Sequence, residues 1–101
     1  MLTAPSDSIA DAIKVQCLGE LTYPLIRKYV DDIVTVGESD IARASLRFFE
    51  EAHLVVEPSG ALPLAAALQY RATSDAPVVV LASGGNMTLE RLNLLREGSN
   101  V

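Results

Sequence analysis

The stretch VVVLASGGNMTLERL, residues 78–92, reads as a strand that breaks at Ser83, Gly84, Gly85 and Asn86 and then runs into a helix. Residues 78–82 are apolar on both parities, the pattern of a central strand covered on both faces, and residues 87–97 supply a closing helix. Consecutive glycines let a backbone take positive φ or approach a neighbour closely, and a helix starting just beyond them presents free N–H groups. Taken alone, the turn fits a small-molecule site and a plain strand-to-helix connection equally well. It lacks the G-x-G-x-x-G spacing of dinucleotide sites, and the chain has no GxxxxGK[ST] phosphate loop.

Upstream, GALPLAAALQYR is an alanine-rich helix, with Pro63 expected in its first turn, following a short extended run, HLVVEP, that Pro58 stops. From Glu38, the residues Ile41, Ala44, Phe48, Phe49 and Ala52 fall at i, i+3, i+7, i+8 and i+11. That spacing predicts a helix with Glu38 and Asp40 at its positive end. DDIVTV, residues 31–36, is β-favouring and ends at Gly37, a first strand. Before it, Thr22 or Tyr23 caps a short helix with Pro24 in the first turn and Leu25, Ile26, Tyr29 and Val30 on one face. Residues 1–19, with turn formers Pro5, Ser6, Asp7 and Ser8, read as mostly loop.

Strands alternating with helices predict an α/β fold: one small layered domain over residues 1–101, with a short, mostly parallel sheet and helices packed on it. Two strands make a thin sheet, and its bare edges are templates for another chain. A homo-oligomer, most simply a two-fold dimer, is therefore expected, with residues 54–56 and the helix at 64–68 as candidate contacts.

Bulk properties narrow the function classes. With 101 residues the chain holds one core and no second catalytic domain; 50% hydrophobic and 21% charged residues argue for a folded protein. The net charge of −5 leaves no basic patch to track a phosphate backbone, so nucleic acid is not an expected partner. The longest apolar run, 76–82, contains Pro77 and is far short of the ~20 residues that cross a bilayer, so no membrane partner is expected. No cationic, apolar signal pattern opens the chain, and one cysteine, Cys17, allows no internal disulfide, so a cytoplasmic location is expected. Asp31 and Asp32 point to opposite faces of a strand and read as a solvated turn; His53, the one histidine, reads as a helix end; no metal site is expected.

Four blocks in order, SIADAIKV, GELTYPLIRKYVDDIVTV, VVEPSGALPLAAAL and VVVLASGGNMTLERL, resemble the closing blocks of the pyridoxal-phosphate-dependent threonine and serine dehydratases and serine racemases. The resemblance implies part of a fold type II pyridoxal-phosphate enzyme, a lyase family. It implies that Ser83 hydrogen-bonds the pyridine nitrogen of the cofactor, that Gly84, Gly85 and Asn86 shape the seat, and that Glu57 lies near the ring. The family's cofactor-bearing lysine motif and its glycine-rich phosphate loop have no match here. Neither Lys14 nor Lys28 has the family motif around it, Ala12 stands where glycine is usual, and Gly37 replaces a capping hydroxyl residue.

The sequence therefore leaves three readings. One is a truncated, dehydratase-like chain with no catalytic residue of its own and no covalently bound cofactor, self-associating over surfaces the missing part would cover. Another is the subunit of a split threonine/serine ammonia-lyase whose second chain brings the lysine. The last is a small anion- or amino-acid-binding module built on residues 83–86.

Overall fold

Helix α2, Glu38–Ala52, is the element on which the others assemble. Gly37 caps it in extended conformation, and the Ile41 N–H donates to the Gly37 carbonyl at 3.1 Å. Glu38 and Asp40 stand against the positive end of the helix dipole. Its inner face buries Ile41, Ala42, Ala44 and Ser45. The helix ends because His53 takes a left-handed conformation, φ 57°, a region that histidine tolerates better than most residues. The Leu54 N–H then closes back on the Phe48 carbonyl at 2.9 Å. The structure is a computed structural model that describes residues 7–70 and 75–98. Pro5 and Ser6 lie outside the described residues.

Helix α3, Pro58–Gln69, lies against α2. Pro58 occupies its first turn, where a missing N–H costs nothing. Pro63 therefore falls in the second turn rather than the first, and its ring withholds the N–H that the Ser59 carbonyl would otherwise accept. The core between the two helices is made of Ala44, Val56, Ala61 and Ala65, bordered by Val36, Phe48 and Leu64. Small side chains bring the helix backbones close, and the Ser45 hydroxyl donates to the Val56 carbonyl at 2.5 Å.

Helix α4, Leu89–Gly98, packs on the same α2 and buries Leu95. Thr88 starts it: its hydroxyl accepts the Arg91 N–H at 3.1 Å and its carbonyl the Leu92 N–H at 3.0 Å. A 3₁₀ turn, Asp11–Ile13, crosses over α3, where the Ala12 N–H donates to the Ser59 hydroxyl at 2.9 Å. Helix α1, Thr22–Tyr29, has Pro24 in its first turn, buries no residue and contacts no other described helix.

The expected sheet is not there: the described residues contain no strand. Residues 31–36 meet the core at Val36 and are tied at Thr35, whose carbonyl accepts the Tyr70 hydroxyl at 2.9 Å, but among the described residues they join no ladder. Ile33 is 73% exposed and Val79 is 91% exposed. The physical reason is that a strand exists only through its neighbour: β-favouring residues supply extended backbone, and a ladder needs a paired segment, which the described residues do not supply. Among the described residues, no helix is long and apolar enough to cross a membrane.

The surface is correspondingly large. The molecule exposes 7733 Å², whereas a compact monomer of this mass exposes about 5,500 Å². Its radius of gyration is 14.6 Å, against about 13 Å for a compact chain of this length. Leu21, Tyr23, Leu25, Tyr29 and Ile33 are among the apolar side chains left in solvent.

Candidate functional site

Residues 83–85 lie across the first turn of α3. The Glu57 N–H, at the N-cap of α3, donates to the Gly84 carbonyl at 3.1 Å. Gly84 takes φ 76°, the left-handed conformation, and a Cβ built on it would collide with the Glu57 carboxylate, whose Cδ would stand 3.0 Å away. Gly85 backs onto the Val55 carbonyl, 3.1 Å from where its Cβ would be. Gly60 meets the Ser83 carbonyl so closely that a Cβ there would overlap it.

The structure thus brings Glu57, Ser83, Gly84 and Gly85 together, although 26 positions separate Glu57 from Ser83. The floor of the turn is anchored in the core one residue away. Val56 is 6% exposed in the α2–α3 core, and its carbonyl is held by the buried Ser45. Glu57 is half-buried, while Ser83 and Asn86 face solvent. Asn86 is joined through its carbonyl, which accepts from Arg91 Nη1 at 3.4 Å.

Arg91 also binds the N-terminal segment, donating from Nη2 to the Ile9 carbonyl at 2.9 Å and to Asp11 Oδ2 at 2.8 Å. Glu38 holds the same segment from α2, accepting the Ser8 hydroxyl at 2.6 Å and the Ile9 N–H at 2.9 Å. A hydrogen bond from Lys14, and then the Lys14 and Arg91 charges, hold the Asp11 carboxyl below its ordinary pKa. A cavity of about 340 Å³ beside Arg91 and Glu38 includes no residue of 83–86, and those two side chains are already engaged by the 8–11 segment.

As a seat for an aromatic nitrogen heterocycle the residues fit. Ser83 offers a neutral hydroxyl, and the two glycines after it leave room for the Glu57 carboxylate and the Val55 carbonyl beside the turn. The two lysines have partners of their own. Lys14 Nζ is paired with Asp11 at 3.0 Å, and Lys28 lies 5.1 Å over the Tyr29 ring on α1. Asp32 accepts the N–H of Ile33 at 2.8 Å, and Cys17 is exposed. No group of three or more His, Cys, Asp or Glu among the described residues could hold a metal ion.

Gly60 and Arg91 escaped the sequence reading. A glycine in the first turn of an alanine-rich helix was the available signal for the former; the contacts of Arg91 with Ile9 and Asp11 span more than 75 positions and have no local signal. Val56, expected at an interface, points into the core instead, because the extended run 53–57 descends onto the face of α2 carrying Ala44.

A family model described as pyridoxal-phosphate dependent enzyme matches residues 2–84. Over 91 residues the chain is 40% identical to an L-threonine ammonia-lyase of Geobacter sulfurreducens, covering 89% of this chain and 23% of that protein. A serine racemase of Oryza sativa subsp. indica is 38% identical over 96 residues, covering 88% of this chain and 28% of the relative. A crystal structure of the T.th. threonine deaminase superposes with TM-score 0.81 at 42% identity, over 87% of this chain and 32% of that one. The chain thus spans under a third of the length of these relatives.

Proposed function

The chain belongs to the pyridoxal-phosphate dependent enzyme family, and from that premise we propose that it forms the pyridine-ring seat of a threonine/serine dehydratase-like unit. On this reading it has no catalysis of its own and associates through its uncovered surface. The observation that carries the first part is the docking of 83–85 on α3, with Glu57 bonded to Gly84 and Ser83 facing solvent. Pyridoxal phosphate, when bound, supplies the electron-withdrawing ring that eases removal of the α-proton and loss of the β-hydroxyl of an amino acid. The part of this chain is to hold the ring nitrogen: a hydroxyl at Ser83, unlike a carboxylate, leaves that nitrogen largely unprotonated.

Self-association is supported by exposure. Large apolar side chains are left in solvent on the described segments, among them Leu21, Leu25, Ile33, Val79 and Leu81, and a soluble monomer rarely carries many of these uncovered. A two-fold homodimer would cover the extended segments at 31–36 and 78–82 by pairing their open edges. A second chain carrying the lysine and the phosphate loop, the split-enzyme reading, would cover the same segments.

The test is a pyridoxal phosphate titration followed by absorbance, with borohydride trapping, peptide mapping and solution mass. The expected results are Ser83-dependent uptake, sparse labelling of Lys14 and Lys28, no 2-oxobutanoate from threonine, and a multiple of 10.8 kDa. Stoichiometric labelling of one lysine, or product above a boiled control, overturns the non-catalytic reading. A monomer mass across a dilution series overturns self-association.

A further inference from the structure

We infer that Gly60 is the positioning residue for Ser83: an empty side-chain position in the first turn of α3 sets how deeply the 83–85 backbone settles, and hence where the Ser83 hydroxyl stands. The functional half of this statement rests on the reading of Ser83 as the ring seat. The geometric half does not.

Gly60 is buried and lies inside α3 with no positive φ, so its backbone is one that alanine adopts freely. Alanine is also the better helix former there, because glycine carries more unfolded-state entropy. By local physics, Gly60→Ala should stabilise the protein. Space argues the opposite. A Cβ at this position would overlap the Ser83 carbonyl oxygen, approach the Ser83 carbonyl carbon to 2.5 Å and reach Val56 Cγ1 at 3.1 Å.

None of these neighbours can swing aside as the end of a long side chain would. The Ser83 atoms are backbone, and Val56 is fixed in the core. The turn cannot slide to make room either. Its next residue accepts the Glu57 N–H at 3.1 Å, and the one after lies against the Val55 carbonyl. A methyl group at residue 60 therefore has to lift the turn and break the Glu57–Gly84 hydrogen bond. Gly84 is different in kind: its φ of 76° demands glycine whatever the space around it. One glycine shapes the turn, and the other admits it to the helix.

The experiment compares the full chain with Gly60→Ala and with Gly98→Ala, a helix position where a Cβ meets nothing within 4 Å. Melting temperature, the Gly84 and Gly85 amide resonances, and exchange protection of the Glu57 N–H are read for each. Gly60→Ala is expected to lower the melting temperature, shift both resonances and reduce Glu57 protection at least tenfold, while Gly98→Ala leaves the turn unmoved. A raised melting temperature with unshifted resonances in Gly60→Ala overturns the inference.

If Gly60→Ala unfolds in buffer, the same resonances are read in a stabilising osmolyte that restores the helical fold. A turn found there at its parent resonances overturns the inference, whereas a turn still displaced beside a folded α2 supports it. A pyridoxal phosphate titration separates the two halves. Uptake weakened about tenfold in Gly60→Ala supports both. No uptake by the parent chain defeats the ring-seat reading, while the amide shifts still decide Gly60.

Discussion

Helices α1 and α2 are both amphipathic by pattern, yet α2 buries Ile41, Ala42, Ala44 and Ser45 while α1 buries nothing. The difference is not in their propensities but in what the chain brings to each. Helix α2 meets α3 along a face of alanines and α4 beside it, so its apolar stripe leaves water within the molecule. Helix α1 follows a loop and is followed by residues 31–36, which have no ladder partner among the described residues, and its apolar stripe stays exposed. An apolar stripe states that a surface wants to be covered, and only the tertiary arrangement states by what. The glycine turn belongs to the partnered side of this divide: residues 83–85 rest on the first turn of α3, which itself packs on α2.

The comparison breaks most visibly at a pair of apolar residues of like type. Val56→Asp should abolish folding, since an unpaired carboxylate in the Ala44–Ala61–Ala65 core costs several kcal/mol. Ile33→Asp, at an exposed position, should leave the fold intact and reduce the solution mass of any oligomer. Circular dichroism melts and light scattering distinguish the two. A folded Val56→Asp would show that the α2–α3 core is not what holds the molecule together.

Ser45→Ala should come next, with a loss of about 1–3 kcal/mol, because the Val56 carbonyl is left without its buried donor. Urea denaturation measures it, and amide shifts at Glu57 should accompany the loss because the Val56 carbonyl and the Glu57 N–H belong to one peptide group. On the other side of the comparison, Leu25→Ser in α1 should change monomer stability by no more than about 0.5 kcal/mol, the usual range for a surface substitution. A larger loss that grows with protein concentration would show α1 to be an interface helix.

The smallest effect is electrostatic. The pKa of Asp11 is depressed in the folded protein by Lys14 and Arg91, so its contribution is present above the unfolded carboxylate pKa of about 3.9 and fades as pH falls through the folded value. Glu51, lowered by its hydrogen bond from Arg47, follows the same sign. Between pH 7 and pH 5 stability should therefore not change through these groups. Below about pH 4, exchange protection in the 8–14 segment should fall before that of α2, and Asp11→Asn should remove the difference.

The helices were legible because their determinants are local. The i, i+3, i+7, i+8 spacing from Ile41 to Phe49, the acidic first turn at Glu38 and Asp40, and Pro24 in the first turn of α1 act within a turn or two of themselves. The family blocks, including the turn at 83–86, could likewise be read directly, since a run of residue identities needs no partner to be recognised. The sheet was misread because β-favouring runs at 31–36 and 78–82 specify extended backbone, whereas a strand is a relation between two segments. The partners of the turn were hidden for the same reason. That Glu57 would bond to Gly84, that Gly60 would receive the Ser83 carbonyl, and that Arg91 would reach back to Ile9 and Asp11 are contacts across long sequence separations. Local chemistry decided which segments coil and which extend; packing of α3 and α4 on α2 decided which of them meet.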